Sequence, residues 1–365
     1  MFSALQERIN SQFLNELPFV AYRKPNKKEV IGIFQSTDVV HLIPDFNATG
    51  FVFSPFDSAG DTILIPVDEK MVVPDFTTTL ASSTPTFEVD SRQQDFHIKL
   101  VEKGISEIKK GHFKKIVLSR RVKVAVNDSP LALFQKLLTA YSSAFCYLWH
   151  HPKVGTWLGA TPEILLRTEN KRFTTMSLAG TQVYQAEKPI EWGQKELDEQ
   201  ALVTDFIKNA LRDKVADIHT SDLESVRAGS LLHLRTKVTG RMIADLKEII
   251  RVLHPTPAVC GMPMTPSKRF ILEHENYNRQ FYTGFLGELN FKRERQRSPN
   301  RKNQENQAYR SVKTCSELFV NLRCMQLVKN RAHIYVGGGI TNDSDPKKEW
   351  QETVNKSSTM LKVLY

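Results

Sequence analysis

FCYLWHHPKVGTWLGATPEILLRTENKRFTTMSL, residues 145–178, is the stretch whose reading decides the fold. It holds four strand-like runs, Phe145–His150, Thr156–Gly159, Ile164–Arg167 and Phe173–Leu178. The connections between them are short and carry Pro152, Lys153, Gly155, Pro162, Asn170 and Lys171, which are turn and surface residues. A parallel pair needs a crossover of about a dozen residues, usually a helix. These gaps are too short for that, so the run reads as an antiparallel meander and the class as α+β, with no alternating βαβ series.

Outward from the meander, helical periodicity takes over. Phe96–Lys110 places Ile98, Val101, Ile105 and Ile108 on one stripe, and Leu131–Tyr141 reads as a second helix. Ile190–Arg212 is a long amphipathic helix on which Val203, Phe206, Ile207, Ala210 and Leu211 recur at helical spacing. More helix is expected at Ala244–Leu253, Lys268–Asn276 and Lys347–Leu361, and strand at 116–124 and Ala332–Val336. Phe281–Phe291 and Leu318–Leu327 read as neighbouring strands joined by a long polar loop. Residues 1–90 carry short apolar runs, Phe19–Tyr22, Val30–Phe34 and Thr62–Pro66, joined by turns, with a linker at Asp90–Asp95. There is no internal repeat, so the expectation is one α+β unit spanning 1–365.

Charge and cysteine usage narrow the class. The net charge of +10 favours an anionic ligand, and between Lys292 and Lys313 eight Lys or Arg face two acids, a basic loop insertion. That segment raises nucleic-acid or acidic-partner binding as a reading from another class. Against it, Tyr309 is its single aromatic residue, so it offers no stacking platform. Cys146, Cys260, Cys315 and Cys324 lie far apart without CxxC spacing, which indicates neither a zinc site nor a disulfide framework. Glu7, Arg8 and Glu16 interrupt the apolar residues of the N-terminus, and no apolar stretch is long enough to span a bilayer. A soluble, cytoplasmic protein with reduced thiols is expected.

The chemistry gathers at three places. Near the C-terminus Gly337-Gly338-Gly339-Ile340 precedes Glu349, Glu352 and Lys356, which share one helix face. The glycines read either as a tight turn needing positive φ or as bare backbone that lets an anion approach. Two carboxylates one turn apart suit a hard cation such as Mg²⁺, and Lys356 suits a carboxylate or phosphate. Glu196 and Glu199 form a second pair, leaning toward the apolar stripe of the long helix. Either pair alone is more often a solvated helix face, whereas two pairs together suggest a four-carboxylate clamp. Lys115 begins an apolar strand and Glu163 precedes another, a candidate base and acid if burial shifts them. His254, followed by Pro255 and Pro257, reads equally as a structural histidine or a ligand contact.

Taken in order, Lys115-Ile-Val-Leu-Ser-Arg120, Gly159-Ala-Thr-Pro-Glu163, Leu178-Ala-Gly-Thr181, Glu196-x-x-Glu199, Leu253-His-Pro-Thr-Pro257, Leu322-Arg323, Gly337-Gly-Gly-Ile340 and Glu349-x-x-Glu352-x-x-x-Lys356 resemble the chorismate-utilising enzymes. That family contains isochorismate, salicylate, anthranilate and aminodeoxychorismate synthases. The resemblance covers roughly 95–362, leaves 1–90 as a variable N-terminal part, and treats 292–313 as an insertion. It implies two packed antiparallel sheets surrounded by helices, like anthranilate synthase component I, and a Mg²⁺-dependent site. Glu199 and Glu352 would ligate Mg²⁺, with Glu196 and Glu349 acting through water. Arg323 and Lys356 would grip substrate carboxylates, helped by backbone at Gly337, Gly339, Gly180 and Thr181. Tyr282 would line the pocket, and His254 would contact the substrate.

Two positions divide the family. Lys115 matches the lysine that activates water in the isochorismate- and salicylate-forming members, where the anthranilate-forming ones carry glutamine. Ala179 stands where aminodeoxychorismate synthases use a nucleophilic lysine. The resemblance therefore implies water attack at C2 of chorismate, with Glu163 protonating the departing C4 hydroxyl. Salicylate synthesis by further loss of pyruvate is the alternative. The product would feed menaquinone or siderophore synthesis. Chorismate is the expected small-molecule partner, with no nucleic acid, membrane or glutaminase subunit.

Overall fold

The computed structural model describes residues 2–57, 62–77, 91–184, 189–228, 231–296 and 310–365. After helix α1 (Phe2–Leu14) the N-terminal apolar runs become strands β1 (Phe19–Arg23), β2 (Val30–Phe34), β3 (His41–Leu42), β4 (Gly50–Ser54), β5 (Ile63–Ile65) and β6 (Glu69–Val73). β1, β2 and β4 are buried at every position, as strands covered on both faces must be. The expected linker is partly helix, since α2 (Ser91–Lys109) starts at Ser91, and 78–90 lie outside the described residues.

The next elements are β7 (Lys115–Ala125), α3 (Pro130–Ala140), β8 (Phe145–His151), β9 (Gly155–Thr161), β10 (Ile164–Glu169), β11 (Arg172–Val183), α4 (Gln194–Leu211), β12 (Val215–Thr220), β13 (Glu224–Ala228) and β14 (Leu231–Met242). There follow α5 (Leu246–Leu253), β15 (Gly261–Met262), α6 (Met264–His274), β16 (Phe285–Gln296), β17 (Arg310–Val320), β18 (Cys324–Val328), β19 (Arg331–Ile340) and α7 (Pro346–Leu364). Among the described residues these strands form two antiparallel sheets. One has nine strands in the order β15-β7-β19-β18-β9-β8-β1-β2-β6. The other has ten, including β12-β14-β11-β10-β17-β16-β4-β5-β3 with β13 on β14. The expected α+β class and two-sheet architecture are what the structure shows, and the N-terminal strands are built into both sheets.

An aromatic core lies between the sheets, with Tyr22, Phe145, Tyr147, Trp149 and Trp157 from one meeting Phe51, Phe53 and Phe319 from the other. Helices cover the outer faces. Leu5 and Ile9 of α1, Phe134 and Leu137 of α3, and Met360 and Leu361 of α7 pack on the first sheet. Val203, Ile207 and Leu211 of α4 join Ile249 and Leu253 of α5 on the second. Among the described residues no helix is long and apolar enough to cross a membrane.

Three departures from the sequence reading shape the site. The 145–178 meander does not stay in one sheet: β8 and β9 pair in the first, β10 and β11 in the second, and the chain crosses over at Pro162-Glu163. The run Leu318–Leu327 likewise splits, with β17 ending in the second sheet, Arg323 in the left-handed region at φ 49°, and β18 resuming in the first. Hydrophobic runs do not reveal a change of sheet, because an apolar position reads the same whichever sheet its strand joins.

The glycine segment is the third departure. It is not a turn: Gly337, Gly338 and Gly339 continue β19, opposite Ser119, Leu118 and Val117 of β7. Crowding explains the missing side chains. A methyl on Gly337 would lie 2.8 Å from Leu118 O and 3.0 Å from the Tyr282 hydroxyl, and one on Gly339 would lie 3.0 Å from Lys115 Cε. The basic segment is also less of a loop than expected. Its ends pair as strand, Lys292 with Thr314 through Gln296 with Arg310, leaving 297–309 outside the described residues.

Candidate active site

The two crossovers bring Glu163 and Arg323 to one cavity of about 150 Å³, walled by β7, β19, α4 and α7. Period-two alternation along β7 sends Ile116 and Leu118 toward α2 and α6 and turns Lys115 and Val117 into the cavity. The helical period of α7 brings Glu349, Glu352 and Lys356 to the same space, and α4 supplies Glu196 and Glu199. Gly180, Tyr282, Gly337 and Gly339 complete the lining among the residues proposed from sequence.

Lysine–carboxylate pairs ring the cavity. Lys115 Nζ donates to Glu199 Oε1 at 2.5 Å, its side chain only 3% exposed. Lys356 pairs with Glu352 and donates to Gly337 O at 3.1 Å. Lys195 Nζ lies 4.0 Å from Glu349 Oε1. Burial would raise Glu199, but Lys115 beside it and the charges of Lys356 and Lys195 outweigh that, so its carboxyl sits below the usual range. Burial dominates at Glu349 and raises it.

Glu163 is the outlier among these carboxyls. Burial pushes it up to about 7, against the opposing pull of Lys115 and Arg323. Near neutral pH it therefore exchanges a proton, in a cavity that also holds a lysine. Desolvation lowers the pKa of the half-buried Arg323 as well, and it donates to Thr359 Oγ1 at 3.2 Å. Tyr282 stacks on Tyr335 with ring centroids 5.4 Å apart, making a flat aromatic wall.

The carboxylates suit a hard divalent cation in donor type. A methyl on Gly338 would lie 3.4 Å from Glu349 Oε2 and 3.5 Å from Glu352 Oε1, and one on Gly339 3.1 Å from Glu199 Oε1. Three carboxylates thus border one edge of bare backbone, and Glu349 Oε2 is buried without a hydrogen-bond partner. Glu196 stands further off, its Oε2 2.7 Å from where a methyl on Gly193 would be. Among the described residues no three His, Cys, Asp or Glu side chains are drawn together at metal-ligating distance. Lysines partner Glu199 and Glu352 here, so a cation would have to replace those contacts.

Two proposed residues are not placed in the cavity. His254 is buried beside Phe285, ring centroids 5.0 Å apart, and burial pushes its pKa down to about 4, leaving it neutral. Its loop still contributes, since Ala258 and Val259 line the wall. Thr181 lies in β11 opposite His233, and its side chain is outside the described groups. Conversely, the sequence reading missed Lys195, His233 and Tyr335 in the lining. His233 Nδ1 lies 3.3 Å from Gly180 O, and burial holds the ring neutral with a pKa of about 3. Gln200 was also missed: its amide oxygen accepts from Ala179 N at 3.0 Å and its nitrogen donates to Ser177 Oγ at 2.8 Å, locking α4 to β11. Its position beside Glu199, on the buried side of α4, was the one available signal.

Known proteins resemble this chain in sequence and in fold. Residues 69–295 match a family described as chorismate binding enzyme, and 308–362 match a second profile with the same description. Isochorismate synthase EntC of Escherichia coli (strain K12) is 29% identical over 265 residues, covering 68% of this chain and 62% of the relative. Isochorismate synthase MenF of Haemophilus influenzae is 27% identical over 275 residues, covering 72% of this chain and 59% of the relative. The matched part thus spans about three fifths of the curated relatives' length. Among solved structures, MenF, the menaquinone-specific isochorismate synthase from Escherichia coli, superposes with a TM-score of 0.76 at 20% identity, covering 95% of this chain and 89% of that one. Anthranilate synthase component I from Streptococcus pneumoniae gives 0.67 at 18% identity, covering 94% and 92%.

Proposed function

We propose that this chain, which belongs to the chorismate-binding enzyme family, converts chorismate to isochorismate. The observation that carries the proposal is the presence of Lys115 and a Glu163 held near 7 on the wall of one cavity. Relatives named isochorismate synthase support the same reading. The dicarboxylate substrate meets Arg323 and Lys356, with backbone at Gly180, Gly337 and Gly339 beside it and the Tyr282 ring as a wall.

Lys115, in its neutral form, takes a proton from water as the water oxygen bonds to C2 of the ring. Both ring double bonds shift, the C4–oxygen bond breaks, and Glu163 delivers a proton to the departing hydroxyl, releasing water. One water enters and one leaves, so the reaction is an isomerisation that runs in either direction. A carboxyl near 7 serves both directions, donating in one and accepting in the other. Glu199 and Glu352 would hold Mg²⁺ directly and Glu196 and Glu349 through water; when bound, the ion supplies charge neutralisation for a substrate carboxylate. The whole chain, 1–365, acts as one chorismate-binding unit, without a glutaminase partner.

The test is a product assay with purified protein, chorismate and Mg²⁺, with and without EDTA. Isochorismate that disappears with EDTA is the expected result. Salicylate with pyruvate would replace this reading by the lyase-coupled alternative, an unchanged rate in EDTA would remove the metal assignment, and absence of turnover would sink the proposal.

A further inference from the structure

Beyond the cavity, β7 runs on through Arg120, Arg121 and Lys123, and there, among the described residues, one edge of the strand is open. β19 pairs it from Ile116 to Ala125, whereas β15 covers the other edge at Lys115 and Ile116. Val117 sends its N–H to Cys260 O and Ser119 sends its N–H to the Glu275 carboxylate. By the period of two, Arg121 and Lys123 turn their N–H groups toward that same edge. A groove of about 250 Å³ lies alongside, lined by Gln93, Phe96, Arg120, Arg121, Lys123 and Asn276. Half of these are cations and none is an acid.

Arg120 is the informative member. It is only 5% exposed. Its Nε donates to Thr353 Oγ1 at 2.7 Å and its guanidinium lies 4.1 Å from the centre of the Trp350 ring. Nη2, however, is buried without a hydrogen-bond partner. Burial lowers the group to about 10, and the charged groups acting on it include no carboxylate. Its charge also adds to burial in holding His97 down to about 4. Arg279, by contrast, is as deeply buried and has the Glu275 carboxylate for its charge. A buried cation without a counter-ion is costly, and an anion in the groove would offset that cost.

We propose that this groove is a second anion-binding site, separate from the cavity, taking a small carboxylate or phosphate. Its oxygens would meet the cationic side chains and the strand-edge N–H groups, and any apolar part would lie on Phe96, which is 37% exposed. The site is coupled to the cavity. Arg120 holds Thr353 and Trp350 on α7, the helix that carries Glu349, Glu352 and Lys356. An occupant that draws Arg120 toward itself loosens that hold, so the groove is also placed to act as an effector seat.

The experiment is calorimetric titration of the whole chain with inorganic phosphate and, separately, with benzoate, at constant ionic strength. Arg121 and Lys123 are not in the core, so Arg121→Ala/Lys123→Ala should fold, with circular dichroism as the check. Saturable binding by either probe that weakens by at least about tenfold in the double variant supports the site, and the probe that binds identifies the headgroup. Equal affinity in the double variant would place the anion in the cavity and overturn the proposal. A linear, non-saturating response to both probes, which is ionic screening alone, would overturn it as well. Neither readout needs chorismate turnover, so the outcome is independent of the proposed reaction.

Discussion

Two buried cation–carboxylate pairs clasp β7, and they are built differently. Around Arg279 the guanidinium is saturated: Nε and Nη2 donate to Glu275 at 2.8 and 2.6 Å, Nη2 also to Val117 O at 2.8 Å, and Nη1 to Val259 O and Thr283 Oγ1 at 2.9 and 3.3 Å. Glu275 in turn accepts from Ser119 N and Oγ. Lys115, one turn of pleat away, has Glu199 as its hydrogen-bond partner among the described residues and otherwise faces the cavity. Saturation spends every donor on holding the backbone in place. A pair with donors left over, beside a space, is able to act on a ligand instead.

Four measurements would break or sharpen that contrast. Lys115→Ala and Glu163→Gln should each lower chorismate turnover by about 10²–10⁴-fold with little change in melting temperature; near wild-type turnover in either would end its catalytic assignment. Arg279→Met should show the opposite balance, losing about 3–5 kcal/mol in urea unfolding because Glu275 is left buried and unpaired. If Arg279→Met is as stable as wild type, saturation is not what distinguishes the two pairs. Gly339→Ala sets a methyl 3.0 Å from Lys115 Cε and 3.1 Å from Glu199 Oε1. Those are movable side-chain ends, so stability should hold while turnover falls by about 10–100-fold.

The finest test is the titration of Glu163. Its folded value of about 7 lies above that of an exposed carboxyl, so the folded state keeps a proton that the unfolded state gives up. Stability from this group is therefore full at low pH and declines as pH rises from the ordinary carboxylate range through about 7. The infrared difference between wild type and Glu163→Gln should contain a carboxylic-acid band that disappears across that window. A band already gone at pH about 5, where an ordinary carboxyl has ionised, would contradict the buried-acid assignment.

Much of the site was legible in the chain because its chemistry is carried by local patterns. Helical spacing brought Glu349, Glu352 and Lys356 onto one face, strand alternation faced Lys115 inward, and the ordered motifs pointed to a family. His254 was left with two readings because a histidine beside two prolines has the same local pattern whether it meets a ligand or packs against Phe285. Lys195, His233 and Gln200 went unnoticed because each becomes functional only through a partner distant in sequence: Glu349, Gly180 and Ala179, respectively.

Periods of 2 and 3.6 and short turns are properties of neighbouring residues, so the sequence by itself determined the antiparallel α+β class, the helix faces and the kinds of groups available for chemistry. Which sheet each strand joins depends on partners far along the chain. Only the tertiary structure decided that the 145–178 meander divides at Pro162-Glu163, that β17 and β18 part at Arg323, and that the three glycines run as bare strand. Those long-range choices put Glu163 and Arg323 beside Lys115 and remove the side chains that would fill the cavity. They also give Glu163 the burial that holds its proton, a property no local pattern specifies.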